Sequence, residues 1–473
     1  PKRVSYIQYK EAKRLPVFNM SKYKGGFHEQ AFNQRKKPFG SLAMRTLGDM
    51  YSDVTLGAKN GLELQYDSIL KGKEGITHRQ KVMNKYLNIV DIPPVDGCDI
   101  ITTIDVGMQD IAEKALVDQL KEINASVGVA ILMEVKTGEV KAIVNMTKGN
   151  DGIYREVKNN AVSDMMEPGS TFKTASIMVA LEDGYITPDQ EVDTKNGVYM
   201  MHGRPMKDHN WHRGGYGVID VTKVLMVSSN IGVSRLIDEN YHNQPEKFVE
   251  GIYKLGIATP LNLDIPGAAK KPNIRKPTKE NWYKTALPWM SIGYETQVPP
   301  MNTLTFYNAI ANNGKMIAPV LVSAIKDGDK DLKTFKTKVI NHSICDEQTL
   351  QDIRACLHDV VWDNELGTAS TGKWRQQKAQ SNLVKIAGKT GTAQLIENGK
   401  YTSQKHRMSF VGYFPEDNPQ YTCICVISNP RNKGFYDSGL DCGGVVRRIA
   451  ESTMIYASEY VIQGDQLVLQ KKK

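Results

Sequence analysis

Nowhere does the 473-residue chain approach the roughly 20 consecutive apolar residues of a membrane-spanning helix. It opens on Pro1 rather than methionine and so reads as a fragment or a processed product. The missing apolar run therefore excludes an anchor only within these residues. Cysteine is scarce, with six at 98, 345, 356, 423, 425 and 442. No Cys-x-x-Cys pair occurs among them, which argues against a zinc ribbon. Cys423 and Cys425 fall two apart in the strand-like run YTCICVIS, on one face, where packing is expected rather than a mutual disulfide. Single-sign charge blocks are missing except at Lys471-Lys472-Lys473. The net charge of +9, from 61 basic and 52 acidic residues, is interspersed and reads as a solvated surface. With no nucleic-acid module in view, nucleic acid is not an expected partner.

Other absences remove whole reaction classes. Gly388-Lys389-Thr390 imitates the end of a phosphate-binding loop, but the required glycine five positions earlier is Leu383. A G-x-S-x-G nucleophile elbow is missing, which weakens an α/β-hydrolase reading. HGRPMKDHNWH offers His202, Asp208, His209 and His212 as metal ligands, yet their spacing is irregular and no thiolate accompanies them. They are expected in a surface loop, and neither a metal nor a cofactor is expected. No internal repeat is visible.

The length suits two or three domains of about 100–200 residues. Residues 1 to about 97 are polar and rich in turn signals, and IPPVDG at 92–97 reads as a linker. A helix is expected from Met108 to about Ile123. VGVAILMEV, KTGE and VKAIVNM then read as a β-hairpin over 127–146. Helical patterns follow from Phe172 to about Glu182, over 222–240 with a break at the serines, and after the turn at 291–299 up to Asn312-Asn313-Gly314. Three late runs, at 383–394, 408–415 and 421–428, read as strands, and a last helix runs from about Gly444 to Tyr460. This order predicts an α/β domain whose sheet is assembled from both ends of the segment.

EPGSTFKTAS holds the sharpest chemical candidate. Ser170 follows Pro168-Gly169 and precedes a helical pattern, so its bland role is a helix N-cap. Lys173, three residues on, shares its helix face and could serve as base to a Ser170 nucleophile. Spacing alone is weak, because Ser-x-x-Lys occurs five times, at Ser21/Lys24, Ser68/Lys71, Ser170/Lys173, Ser323/Lys326 and Ser370/Lys373. Only Ser170 follows the predicted hairpin and is then followed by Ser228-Ser229-Asn230 and by Lys389-Thr390-Gly391-Thr392. Ser228 and Asn230 can complete a proton path and hold a substrate amide. Lys389, Thr390 and Thr392 offer a charge and two hydroxyls to a substrate carboxylate, and an edge strand there could pair with an extended peptide.

The ordered triplet Ser-x-x-Lys, Ser-x-Asn, Lys-Thr-Gly resembles that of the penicillin-recognising serine acyl-transferases. Most of the chain resembles a class B penicillin-binding protein, a peptidoglycan D,D-transpeptidase. GLELQYDSILKGKEG, ITTIDVGMQDIAEKAL, SIGYETQVPPMNTLTFYNAIANNGKM and SFVGYFP resemble family segments in family order. EPGSTFK and SSNIGVS, with Asn at 230, look more like the septal division branch than the elongation branch.

The resemblance implies an amino-terminal pedestal and partner-docking region over 1–97, a transpeptidase domain over 98–463 and a basic tail over 464–473. The domain would be a mainly antiparallel sheet flanked by helices, plus an all-helical subdomain. Ser170, Lys173, Ser228 and Asn230 would be catalytic. Lys389, Thr390, Gly391 and Thr392 would bind substrate, and the backbone N–H groups of Ser170 and Thr392 would form the oxyanion hole. Implied partners are peptidoglycan stem peptides, β-lactams bound covalently at Ser170, a glycan-polymerising protein and other division proteins. A membrane anchor ahead of these residues would hold the domain outside the cytoplasmic membrane. The alternatives left open are an elongation-type enzyme, a β-lactamase or β-lactam sensor of the same fold, and a non-catalytic division scaffold.

Overall fold

A computed structural model describes residues 4, 6–20, 22–28, 36–51, 56–83, 85–372, 376–397, 399–431, 436–457, 460–463 and 466–469. Ser21, Lys373 and Lys471-Lys472-Lys473 lie outside them. The elements that build the site are α1 (Val106–Glu122), β1 (Val127–Glu134), β2 (Val140–Lys148), β3 (Tyr154–Arg155), α2 (Lys173–Glu182), α3 (Val221–Met226) and α4 (Asn230–Tyr241). After them come α5 (Pro300–Ala311), α6 (Glu347–Trp362), β4 (Ala387–Glu397), β5 (Lys400–Phe414), β6 (Tyr421–Ser428) and α7 (Gly444–Tyr456).

The strands form one antiparallel sheet in the order β4-β5-β6-β1-β2-β3. The late strand group thus joins the early hairpin through β6 and β1, where Val426 lies opposite Val129 and Ile424 opposite Ile131. Side chains alternate across a strand, so these runs feed two cores. Val129, Ile131, Met133, Val411, Tyr413, Ile424 and Val426 face the core shared with α2, α4 and α5. Ala130, Leu132, Val144, Met408, Phe410, Cys423 and Cys425 face the core under α1 and α7. Cys423 and Cys425 are free thiols on that second face, as the two-residue spacing predicts.

Helix starts follow side-chain capping. Asp105 accepts from Met108 N at 2.9 Å to open α1, and Asp346 accepts from Thr349 N at 2.6 Å to open α6. Sequence reading did not find α6, and it carried the last helix to Tyr460 where α7 ends at Tyr456. Beyond α7, Tyr460–Gln463 pairs with Gln466–Leu469 in a hairpin that crosses the expected start of the tail. In the amino-terminal region Ile76–Val82 pairs with Lys85–Ile92, and Lys73 and Val95 exchange backbone hydrogen bonds of 2.8 and 3.0 Å. The expected linker is therefore partly tied down. This region meets the sheet where Arg45 N donates to Glu156 at 2.8 Å and Asn159 Nδ2 donates to Thr46 at 3.0 Å.

Helix α5 is fixed to the sheet by Asn308, which is fully buried. Its Nδ2 donates to the Val135 carbonyl at 3.1 Å, and its Oδ1 accepts from the Thr422 hydroxyl at 2.8 Å. Asn308→Leu strands both partners in an apolar layer and is expected to cost about 2–4 kcal/mol. Urea unfolding followed by tryptophan fluorescence measures it. Adding Thr422→Val is expected to cost less than the sum of the two single changes, since one bond is shared.

Candidate active site

Ser170 is placed by three backbone segments that meet without side chains between them. Gly169 has φ +57° and donates its N–H to the Gly293 carbonyl at 3.2 Å. A Cβ on Gly293, at φ +86°, would sit 2.1 Å from the Gly169 carbonyl oxygen. A Cβ on Gly169 would sit 2.7 Å from the carbonyl oxygen of Thr392 on β4. Only glycine tolerates both the positive φ and the close approach. The Ser170 turn is thereby pressed against β4.

The capping expectation is corrected here. Gly169–Phe172 is a 3₁₀ turn running straight into α2, and Ser170 is its second residue rather than a helix cap. The side-chain bond in the turn belongs to Thr171, whose hydroxyl donates to the Pro168 carbonyl at 2.9 Å. Ser170 is half-buried and is free of a capping duty. Its N–H falls among the first donors of the helical segment, which lack an intrahelical acceptor. The other described Ser-x-x-Lys pairs are elsewhere. Ser323 and Lys326, for example, lie in strand Val322–Asp327, where residues three apart point to opposite faces.

Helix α2 is buried from Lys173 to Ala180, so it carries Lys173 into the interior. The amine is fully buried and donates to the Ser228 carbonyl at 2.6 Å, the Ser228 hydroxyl at 3.3 Å and Asn230 Oδ1 at 2.7 Å. Burial lowers its pKa to about 7, against the opposing pull of Asp208. The structure therefore joins Lys173, Ser228 and Asn230. Among the described residues no hydrogen bond links Lys173 to the Ser170 hydroxyl. Ser228 sits between α3 and α4 at φ +57°, a left-handed backbone rare for a residue with a side chain.

Strand β4 is the edge of the sheet, so one of its hydrogen-bonding lines is open. Gln394 N donates away from the sheet to the Tyr294 hydroxyl at 3.3 Å, and Thr392, two residues earlier, presents its backbone to the same side, toward Gly169. Thr392 Oγ1 contacts Ser438 Oγ at 2.6 Å, and Ser438 Oγ lies 2.6 Å from the Gly391 carbonyl. Thr390 Oγ1 contacts Thr368 Oγ1 at 2.8 Å.

Residues 128–451 match the family model described as the penicillin binding protein transpeptidase domain. The chain belongs to this family. It is 26% identical over 426 residues to the probable peptidoglycan D,D-transpeptidase PenA of Neisseria meningitidis, covering 87% of this chain and 66% of that one. The peptidoglycan D,D-transpeptidase FtsI of Buchnera aphidicola is 27% identical over 85% of this chain and 67% of its own. The chain thus spans about two thirds of the length of these curated relatives. The crystal structure of penicillin binding protein 3 from Mycobacterium tuberculosis superposes with a TM-score of 0.73 at 25% identity, over 93% of this chain and 94% of that one. Its complex with ampicillin matches with the same TM-score and identity. The chain is a class B penicillin-binding protein by its transpeptidase domain, and these curated relatives are named peptidoglycan D,D-transpeptidases.

Two features of this transpeptidase domain differ from the sequence expectations. Lys389 is fully buried and donates to the Thr390 carbonyl at 3.1 Å. Burial and the neighbouring Lys173 push its pKa well below the ordinary lysine value, so a permanent charge is opposed. Asp208 is not in a surface loop but 1% exposed. It accepts from Ser229 Oγ, Asn230 N and Ile231 N at 2.7, 2.6 and 3.1 Å. His202, His209 and His212 are all exposed, as the loop expectation has it, and His209 contacts the Tyr216 hydroxyl at 3.0 Å. Sequence reading missed Asp208, Thr368 and Ser438 as neighbours of the site, because only long-range folding brings them there.

A lysine with a folded pKa near 7 holds mostly neutral amine above that pH and mostly ammonium below it. In carbon-13 NMR of Cε-labelled lysine, the resonance lost in Lys173→Met is expected to titrate near pH 7 rather than near 10.5. A Lys173 resonance that stays charged to pH 10 refutes the site's electrostatics.

Proposed function

We propose that this protein cross-links peptidoglycan stem peptides during septal wall synthesis, through an acyl-enzyme on Ser170, and that β-lactams acylate the same residue. The observation that carries the reading is a dry amine near pKa 7, one helical turn from Ser170 and held by Ser228 and Asn230. That is the electrostatic state a general base needs near neutral pH.

In the first step the Ser170 hydroxyl oxygen attacks the carbonyl between the two terminal D-alanines of a donor stem peptide, and its proton passes to neutral Lys173. The tetrahedral oxyanion is met by the N–H groups of Ser170 and Thr392. The C–N bond then breaks, and the D-alanine amine leaves with the proton that Lys173 received, through the Ser228 hydroxyl. In the second step a stem-peptide amine attacks the resulting ester, the acyl C–O bond breaks as the amide forms, and the proton shed by the amine passes through Lys173 to the Ser170 oxygen. Support for the oxyanion pair comes from the meeting of Gly169 and Thr392. Support for peptide pairing comes from the open line of β4. Lys389, Thr390 and Thr392 take the donor carboxylate end, with Lys389 gaining charge as an anion enters.

EPGSTFK, SSNIGVS and the 27% identity to a relative named FtsI favour the septal role over the elongation role. The ampicillin complex of the Mycobacterium tuberculosis protein favours β-lactam capture. Partners are a glycan-polymerising protein and other division proteins, and the site works on the outer side of the cytoplasmic membrane. The amino-terminal region over 1–97 acts as pedestal.

Mass spectrometry after exposure to a fluorescent penicillin tests the reading. A long-lived adduct on Ser170, absent in Ser170→Ala, is expected. Rapid release of hydrolysed drug points instead to a β-lactamase, and Ser170→Ala that still supports division points to a scaffold.

A further inference from the structure

The segment Lys207-Asp208 leaves the hairpin Val198–Met201/Arg204–Lys207 and runs across the amino-terminal end of α4. Asp208 is anchored there by its own N–H, which donates to the Gly197 carbonyl at 3.1 Å. Its carboxylate is buried and takes two of the orphan backbone donors at the start of α4, Asn230 N and Ile231 N, on one oxygen. The other oxygen accepts from Ser229 Oγ, which in turn accepts from Gly232 N at 2.9 Å. An anion at a helix amino terminus also meets the positive end of the helix dipole.

Asn230 is clamped from two sides. Its backbone N–H goes to Asp208, and its side-chain Nδ2 donates to the Lys207 carbonyl at 2.7 Å. With Nδ2 committed, Oδ1 is left to face Lys173 at 2.7 Å. The same turn holds Ser228 at φ +57°, which aims its carbonyl at Lys173 at 2.6 Å.

We propose that Asp208 is a positioning residue for acyl transfer, its buried carboxylate fixing the Ser228–Asn230 turn so that both acceptors stay aimed at Lys173. The inference rests on the acyl-transfer reading of Ser170 and Lys173. The charge adds a second effect that a merely structural clamp lacks. Three charged or titratable groups bear on Lys173: Asp208 favours its ammonium, while Lys389 on β4 and His209 beside Asp208 oppose it when charged. Removing the negative charge lowers the Lys173 pKa further, so the neutral amine persists to lower pH.

Asp208→Asn is nearly isosteric. Its Oδ1 keeps the two backbone donors, and its Nδ2 faces the Ser229 hydroxyl that previously donated. The test is the second-order rate of acylation by a fluorescent penicillin between pH 5 and 9, beside a thermal melt. The variant is expected to melt within a few degrees of wild type and to acylate about tenfold or more slowly on the high-pH plateau. The acid limb of its rate profile should move to lower pH. An unchanged rate, or a slower rate with an unmoved limb, overturns the proposal. If Asp208→Asn unfolds early, Ser229→Ala carries the test, since it removes one bond and keeps the charge. Several-fold slower acylation with an unmoved limb then supports the proposal, and a wild-type rate overturns it. Wild-type protein that takes up no label overturns the acyl-transfer reading and this inference together. A labelled wild type with an unaffected Asp208→Asn overturns the inference alone.

Discussion

The burial of Lys173 is the constraint around which the site is arranged. Taking an ammonium out of water is expensive, and a protein answers either by pairing the charge or by letting the amine lose its proton. Here the acceptors within reach are two neutral side-chain oxygens and a carbonyl, which hold the amine in either form without cancelling a charge. The carboxylate of Asp208 acts on Lys173 through space while its own oxygens are spent on Ser229, Asn230 and Ile231. Lys389 lies close enough to repel. A proton on Lys173 therefore disfavours one on Lys389. On the proposed function, an incoming carboxylate would shift that balance toward charge and so couple substrate entry to the protonation of the site.

The sheet supplies what the lysine cannot, a fixed line along which a substrate can lie. Strand β4 is held on one side by β5 over most of its length and pairs with no strand on the other, where Gly169 and the Tyr294 hydroxyl meet it. Its position relative to Ser170 depends on contacts that exclude even a methyl group, at Gly169 and Gly293. Such contacts make the distance between the Ser170 backbone and the strand a property of the main chain rather than of side-chain rotamers. Rotamers fluctuate and backbones packed this closely do not, so the geometry is fixed before a substrate arrives.

Much of this frame was legible in the sequence, for identifiable reasons. The strands alternate residues between two buried faces, so YTCICVIS and VGVAILMEV betray themselves by β-prone apolar runs. The order of three motifs picked out Ser170, where Ser-x-x-Lys spacing alone picked out nothing. What stayed hidden depends on distant parts of the chain. Asp208 lies 22 residues before the Asn230 it clamps, in a histidine-rich stretch that suggests metal binding or a loop. Ser438 reaches Thr392 across 46 residues, and Thr368 reaches Thr390 across 22. The capping expectation for Ser170 failed for a local reason. A 3₁₀ turn that continues into an α-helix leaves no extended residue to cap it, and the turn's side-chain bond passes to Thr171.

Ser228 shows how the parts depend on each other. A left-handed residue with a side chain costs of order 1–3 kcal/mol and persists where its surroundings overdetermine it. Around Ser228 those surroundings are specific. Ser228 N is held by the Leu225 carbonyl at 3.2 Å, Ser229 N by the Val224 carbonyl at 2.9 Å, and the start of α4 by Asp208. Relaxing φ to a negative value would swing the carbonyl away from Lys173, leaving a buried amine with one acceptor fewer. Fixing α3 and α4 at the two ends of the turn therefore leaves that carbonyl with the amine as its target. The buried lysine in turn keeps the turn from relaxing, and lysine and turn hold each other in place.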